Sequence, residues 1–400
     1  MRPARRPYDI VHLAQTAFPD DPRPRREAMV AAETGRVAII VLQEGRDPRP
    51  VGHYGPIRVV RLPGRRRRGS ALGYLAEYFD FLLRARALFR RDPRFGNARI
   101  IHVHTLPDFL IAATAPARRR GARVILDLHE IFPEFTRSRF AGLAGRVGGR
   151  IARLLEHWSR RRADVVLTVN RSIERLLRGR PSRKGERLEV IHNLTDPEEF
   201  GPARLTSGVV DGPLRLVYHG TLTGIYGLDL AIEAVHRAAR QGLDVRLDLY
   251  GGGPDVAQLA ALAQRLGLGE RVRLLGSVSH QVLRERLPSY HAGLVPTRLN
   301  VMTQYSLSTK LLEYIHLGLP LIASRIPTYL EYFPESSAWY FTPNDSADAG
   351  RAIAEFAAAA PAQRIQRAAG AQAAAAALQW ADDARKLRGI YEELLLAQPR

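Results

Sequence analysis

Apolar positions along this chain cluster into short unbroken runs, and amphipathic stretches separate them. Asp9–Leu13, Val37–Leu42, Ile100–His104, Val124–Leu128, Val165–Val169 and Val190–Leu194 read as strands in the first half. Leu214–Leu222, Val245–Tyr250, Ala292–Val295 and Leu321–Ser324 do so in the second. Strands this continuously apolar, alternating with helical periodicity, predict parallel sheets covered on both faces. The helices expected between them end near Thr34, run over Leu72–Arg91, Gly148–Arg162 and Ser172–Leu177, start at Tyr226, and cover Gln281–Tyr290. Tyr74, Tyr78, Phe81 and Leu82 recur at helical spacing and read as core. Pro197–Pro213 shows no periodicity and has linker composition, which marks a domain boundary. An alanine-rich tail from Ala347 to Leu378, broken at Pro361 and Gly370, leads to a last amphipathic helix, Trp380–Leu396.

The stretch Leu307–Ser324 is the most informative. Ser308 suits an N-cap, Leu311, Leu312 and Ile315 form one apolar face, Gly318 suits the residue past the helix, and Pro320 forbids its continuation. Lys310 and Glu313 lie one turn apart on the other face. A helix start carrying a lysine suits phosphate, and a carboxylate one turn further in suits a ribose diol. A plain surface ion pair between the two fits the spacing equally well.

Composition narrows the partners. With 400 residues, 46% of them hydrophobic, the chain has material for two cores. It has no cysteine, hence no disulfide framework and no thiol chemistry. Met1–Leu13 is basic but interrupted by Asp9 and His12, so neither a signal peptide nor an anchor is expected there, and no apolar run is long enough to span a bilayer. The net charge is +20, and residues 1–200 hold 40 Lys and Arg against 22 Asp and Glu, whereas residues 201–400 hold 20 against 18. The first half therefore faces something anionic: a membrane surface, a phosphorylated acceptor or nucleic acid. Arg65–Arg68 and Arg118–Arg120 are its densest runs, and Arg65–Arg68 is either a solvated block or a docking patch. His102 and His104 share a strand face, but no third ligand follows at zinc-like spacing. No Asp-x-Asp pair is present to clamp a metal.

The run Ser308-Thr309-Lys310, Leu311-Leu312-Glu313 and Gly318-Leu319-Pro320 resembles the donor-sugar signature of retaining GT-B glycosyltransferases of the family-4 type. Asp127-Leu128-His129-Glu130, continuing through Pro133-Glu134, resembles that family's Asp-x-His-Glu run, and residues 15–28 and 214–234 are similar to other parts of it. The resemblance implies two Rossmann-like, doubly wound parallel-sheet α/β domains facing across a cleft: 1–203 for the acceptor and 204–375 for the nucleotide-sugar. The C-terminal helix, within 376–400, would cross back to the first. It implies that Glu313 holds the donor ribose, that Gly220, Thr221, Ser308, Thr309 and Lys310 surround the donor, and that backbone groups around Val278 meet the base. His129 would serve transfer from the cleft, with Arg26 and Glu130 on the acceptor or phosphate side. Two departures stand out. Tyr305 occupies the place of a usual glutamate, and Thr221 and Tyr226 occupy those of the arginine and lysine that neutralise the diphosphate, which nominates Arg298 as the substitute cation.

The expectation is therefore a retaining hexosyltransferase without cofactor or metal, because the leaving phosphate takes the acceptor proton and positive electrostatics carry the reaction. Its partners would be a nucleotide-sugar and a lipid-linked or otherwise anionic acceptor of cell-envelope or polysaccharide synthesis, met at the inner, cytoplasmic face of a membrane. An epimerase or a donor-binding pseudoenzyme on the same fold is the alternative. A nucleic-acid-binding protein ranks below both, since the arginine clusters come without a recognition motif.

Overall fold

All six residues of Val37–Leu42 are buried, as are all five of Ile100–His104. Strands without a solvent face need a layer of helices on each side, and that requirement organises both halves of the molecule. The computed structural model describes residues 6–44, 49–64, 71–140, 142–195, 200–201 and 208–398. It divides into two units, Met1–Asn193 with Trp380–Arg400, and Leu194–Gln379. The boundaries expected at 203/204 and 375/376 thus lie at 193/194 and 379/380.

The first unit holds an eight-stranded sheet. Its strands are β1 (Ile10–Ala14), β2 (Val37–Leu42), β3 (Val51–Tyr54), β4 (Ile57–Leu62), β5 (Ile100–His104), β6 (Arg123–Leu128), β7 (Val165–Thr168) and β8 (Arg187–Val190). They lie in the order 3-4-2-1-5-6-7-8, parallel except for β3 against β4. This edge hairpin was not expected. Buried and half-buried residues alternate along β4 and β3 is largely exposed, so neither shows a continuous apolar run. The strand order reverses between β1 and β5, and such sheets bind ligands at the carboxyl ends of strands beside the reversal.

The last helix, Trp380–Leu396, belongs to this unit. Leu387, Ile390, Tyr391 and Leu394 join the core formed by Ile10, Ile39, Ile100 and Ile125. Each such side chain contributes roughly 1.5–3 kcal/mol on burial. Asp383 accepts from the backbone N–H of His192 (2.8 Å), and Arg187 donates to Glu393 (2.7 Å). One long helix starts earlier than expected, at Gly142 rather than Gly148, and runs to Arg160. Its glycines do not break it: a Cβ at Gly145 would strike the Phe140 carbonyl, so glycine allows the close approach of the preceding segment.

The second unit is a six-stranded parallel sheet: β9 (Leu214–His219), β10 (Val245–Tyr250), β11 (Val272–Gly276), β12 (Ala292–Val295), β13 (Leu321–Ser324) and β14 (Trp339–Phe341). Its order is 11-10-9-12-13-14, with the reversal between β9 and β12. Leu216, Leu247 and Leu249 pack against Ile232, Val235, Ile353 and Phe356 of the covering helices. The helix expected over Gln281–Tyr290 is His280–Arg286 followed by a 3-10 turn, because Pro288 cannot donate the next helical bond. Gly370 does not interrupt its helix, which runs from Pro361 to Ala375. Arg65–Arg68 lie outside the described residues, as does part of the expected linker.

Candidate functional site

In the second unit the site forms where the sheet order reverses. β9 delivers His219, and the chain turns at Gly220, whose φ of 120° is one that L side chains rarely adopt. A Cβ there would also collide with the Lys310 side chain. Against this turn lies the helix Thr309–His316, which Leu317 and Gly318 (φ 66°) close with a backbone bond from Leu319 to Tyr314 (2.9 Å). The Tyr314 hydroxyl accepts from the His219 amide (3.1 Å) and donates to the Val217 carbonyl (3.3 Å), tying helix to strand.

Glu313 is only 9% exposed, and its Oε2 lies 3.0 Å from Nε2 of His219. Burial pushes the Glu313 carboxyl up, but the His219 ring and the Lys310 ammonium outweigh it and hold the group below its usual value. The Lys310 ammonium stands 3.9 Å from the ring centroid of Tyr226 and 5.5 Å from that of Tyr218. Burial depresses it to about 8, against the opposing pull of Glu313. A carboxylate and a lysine that burial lowers to about 8 therefore share one helix start beside a glycine turn.

Several expected residues sit differently. Ser308 occupies the N-cap position but makes no capping bond; its hydroxyl lies against Tyr329 instead. Thr309 opens the helix, Thr221 is exposed with its carbonyl accepting from the Tyr218 hydroxyl (2.9 Å), and Val278 lies half-buried in the loop after β11. Arg298, nominated as a cation for the diphosphate, is paired with Asp229 at 2.5 Å. Glu313 faces His219, a partner that the reading of Lys310–Glu313 as a plain surface pair did not include.

The first unit carries a second constellation at its own reversal point. Asp21 N-caps the helix Pro22–Ala32, and Pro22 at its first position fits that start. Arg23 is thereby aimed inward, where it donates twice to Asp127 (2.9 and 2.7 Å) and once to the Ile191 carbonyl (2.8 Å). Burial alone would raise the Asp127 carboxyl, but Arg23 and His129 hold it well below the ordinary carboxylate range. His129 Nε2 donates to Asp127 (2.7 Å) and lies 3.1 Å from His104 Nδ1; its own amide donates to Thr105 (3.2 Å). His104 Nε2 meets His12 Nδ1 at 2.9 Å, and His102 Nδ1 meets the Tyr391 hydroxyl of the last helix at 2.7 Å. Burial lowers all three buried imidazoles, His12 and His102 well below the usual value. Burial also raises Glu27 well above its usual value despite Arg23 3.0 Å away.

His129 opens onto a cavity of about 310 Å³ lined also by Gln15, Thr16, His104, Thr105 and Glu130. These residues lie at or just past the carboxyl ends of β1, β5 and β6. Arg26, expected on the acceptor or phosphate side, is instead buried, with its guanidinium 4.7 Å from the ring centre of Trp380.

Glu27, His102, His104 and Asp127 present ligand atoms within 4.8 Å of one another, a donor set that suits a metal such as zinc. The third and fourth donors that spacing did not supply come from other elements. Arg23 already places a cation between Asp127 and Glu27.

Known proteins agree with this architecture. Residues 28–199 match the family model described as Glycosyltransferase Family 4, and residues 213–358 match Glycosyl transferases group 1. The phosphatidylinositol N-acetylglucosaminyltransferase gpi3 subunit of Schizosaccharomyces pombe is 26% identical over 259 residues, 64% of this chain and 53% of that protein. Alpha-D-kanosaminyltransferase of Streptomyces kanamyceticus is 24% identical over 52% of this chain and 54% of its own length. The chain thus spans about half the length of these curated relatives. Among solved structures, sucrose-phosphate synthase from Thermosynechococcus elongatus superposes with a TM-score of 0.74 at 20% identity, covering 98% of this chain and 100% of that one. Anabaena HepE in complex with UDP-glucose gives 0.70 at 16%, covering 96% and 100%. With both units matched in turn, the chain belongs to the group 1, family 4 glycosyltransferases and has their GT-B architecture.

Proposed function

We propose that the protein transfers a sugar from a nucleotide-sugar to a lipid-linked or otherwise anionic acceptor, with retention of configuration and without a metal or cofactor. The observation that carries this reading is the placement of Lys310 and Glu313 beside the His219–Gly220 turn. Glu313 accepts the ribose hydroxyls, and the Lys310 ammonium with the helix start receives the diphosphate. That charge stabilises the leaving group, which itself takes the acceptor proton. His129, fixed by Asp127 and opening onto the first unit's cavity, orients the acceptor. In the cluster behind it Arg23 already supplies a cation to Asp127 and Glu27, and the reading invokes no metal there.

The fission-yeast relative is a phosphatidylinositol N-acetylglucosaminyltransferase subunit, which supports a lipid acceptor, and the UDP-glucose bound to HepE supports a nucleotide-sugar donor. The excess of basic residues before position 200 supports a peripheral site of action at the cytoplasmic face of a membrane. Among the described residues no helix is long and apolar enough to cross one. Thermal-shift screening against nucleotides and nucleotide-sugars tests the donor, because a ligand selective for the folded state raises its apparent stability. Product analysis with the stabilising donor then tests transfer. The pairing of Arg298 with Asp229 favours one second reading, a donor-binding pseudoenzyme, which would bind the donor and yield no product.

A further inference from the structure

Most of the exposed large apolar side chains of the first unit lie on two helices; Met29, Val51 and Leu396 lie apart from them. On the helix Gly142–Arg160, Leu143, Val147, Ile151 and Leu154 are exposed by 69%, 45%, 53% and 69%. On the helix Ala71–Arg91, Leu75, Phe79 and Leu83 are exposed by 43%, 52% and 61%. Side chains three and four apart share a helix face, so each helix turns an apolar stripe to solvent. A lone exposed leucine needs no explanation, but two stripes do. Arg146 and Arg150 are exposed and follow the border of the first stripe, as does Arg153, which also pairs with Glu134 at 3.3 Å. An apolar stripe edged with arginine is the pattern of a helix lying in a headgroup plane.

The two stripes meet at a groove of about 280 Å³, to which Leu75 contributes from one and Ile151 from the other. Phe109, Phe132, Phe135 and Phe140 line it further. Tyr78 and Phe135 line both this groove and the cavity that holds His129 and Glu130. An apolar slot thus shares a wall with a polar pocket, a shape that fits an amphiphile with its chain in the slot and its head by the histidine.

We propose that these two helix faces dock on an anionic phospholipid surface and that the groove receives one hydrocarbon chain of the acceptor. The assignment of the chain to an acceptor rests on the function proposed above; docking itself does not. Charge selects the occupant, since the arginine border favours an anionic monolayer over a neutral one or an apolar protein face.

The test uses the full chain and flotation with phosphatidylcholine vesicles, with and without phosphatidylglycerol. The chain should float only with the anionic vesicles. L143E/L154E changes two positions that are mostly solvent-exposed, and it should weaken vesicle binding by at least about tenfold per leucine. A144F, which fills the groove, should lose binding of a fluorescent polyene fatty acid while still floating. Calorimetry with the donor nucleotide should give the same affinity for both variants and the wild type. Failure of wild-type donor binding with normal flotation would sink the proposed function and leave the docking face standing. Undiminished flotation of L143E/L154E, no flotation of the wild type, or light scattering that shows a dimer dissolved by L143E/L154E would each overturn the docking assignment. Unchanged fatty-acid binding by A144F would overturn the groove.

Discussion

Glu313 offers the sharpest perturbation, because its surroundings separate a binding role from a structural one. Its carboxylate is almost wholly buried, 3.0 Å from His219, and is held in the charged form by that ring and by Lys310. A charged hydrogen bond to a ribose hydroxyl is worth roughly 1.5–3 kcal/mol, so Glu313→Ala should weaken nucleotide affinity by about 10- to 100-fold. Glu313→Gln keeps an acceptor oxygen but no charge, and a neutral bond is worth roughly 0.5–1.5 kcal/mol, so its loss should be smaller, about tenfold or less. Removing the carboxylate also deprives His219 of its partner, which lowers the melting temperature whether or not Glu313 touches the ligand. Only affinity measured by calorimetric titration on folded variants therefore decides. A Glu313→Ala protein that melts lower but binds the nucleotide as tightly as the wild type would show that Glu313 merely holds His219, and the donor assignment would fall.

Lys310 titrates near 8 in the free protein, so diphosphate affinity should fall as the pH rises through that value, with proton uptake on binding. Calorimetry in buffers of different ionisation heat measures this, and Lys310→Met should flatten the slope. His129→Ala should lower turnover while leaving nucleotide affinity nearly intact; steady-state kinetics with a normal rate would make His129 structural. Arg23→Met strands the Asp127 charge in the core and should cost about 3–5 kcal/mol in denaturant unfolding. The Glu27 carboxyl is raised on folding, so wild-type stability should decline as the pH climbs from the ordinary carboxylate range towards the raised value. Glu27→Gln should abolish that decline, and melting curves across pH would show it.

What was legible in the sequence follows the range of the forces involved. Runs such as Val37–Leu42 and stop signals such as Gly318 and Pro320 act within a few residues, and they placed that strand and the helix bearing Lys310 and Glu313 where the structure has them, whereas the strand expected over Val190–Leu194 is Arg187–Val190. Partners were hidden. Arg23 and Asp127 meet across 104 positions of sequence, and nothing local to either announces the other. The substitutions at Thr221 and Tyr226 show how far this matters. Counted along the sequence, Tyr226 is a cation lost, and Arg298 is the obvious replacement. In the folded unit Arg298 is neutralised by Asp229, whereas the Tyr226 ring lies 3.9 Å from the Lys310 ammonium. A ring face in that position attracts a partly desolvated ammonium by about 0.5–2 kcal/mol, which offsets part of what burial costs it. Tyr226 thus keeps a cation at the helix start rather than supplying one. In the proposed reaction the leaving diphosphate depends on Lys310 and the helix start, and Arg298 takes part only as half of an ion pair.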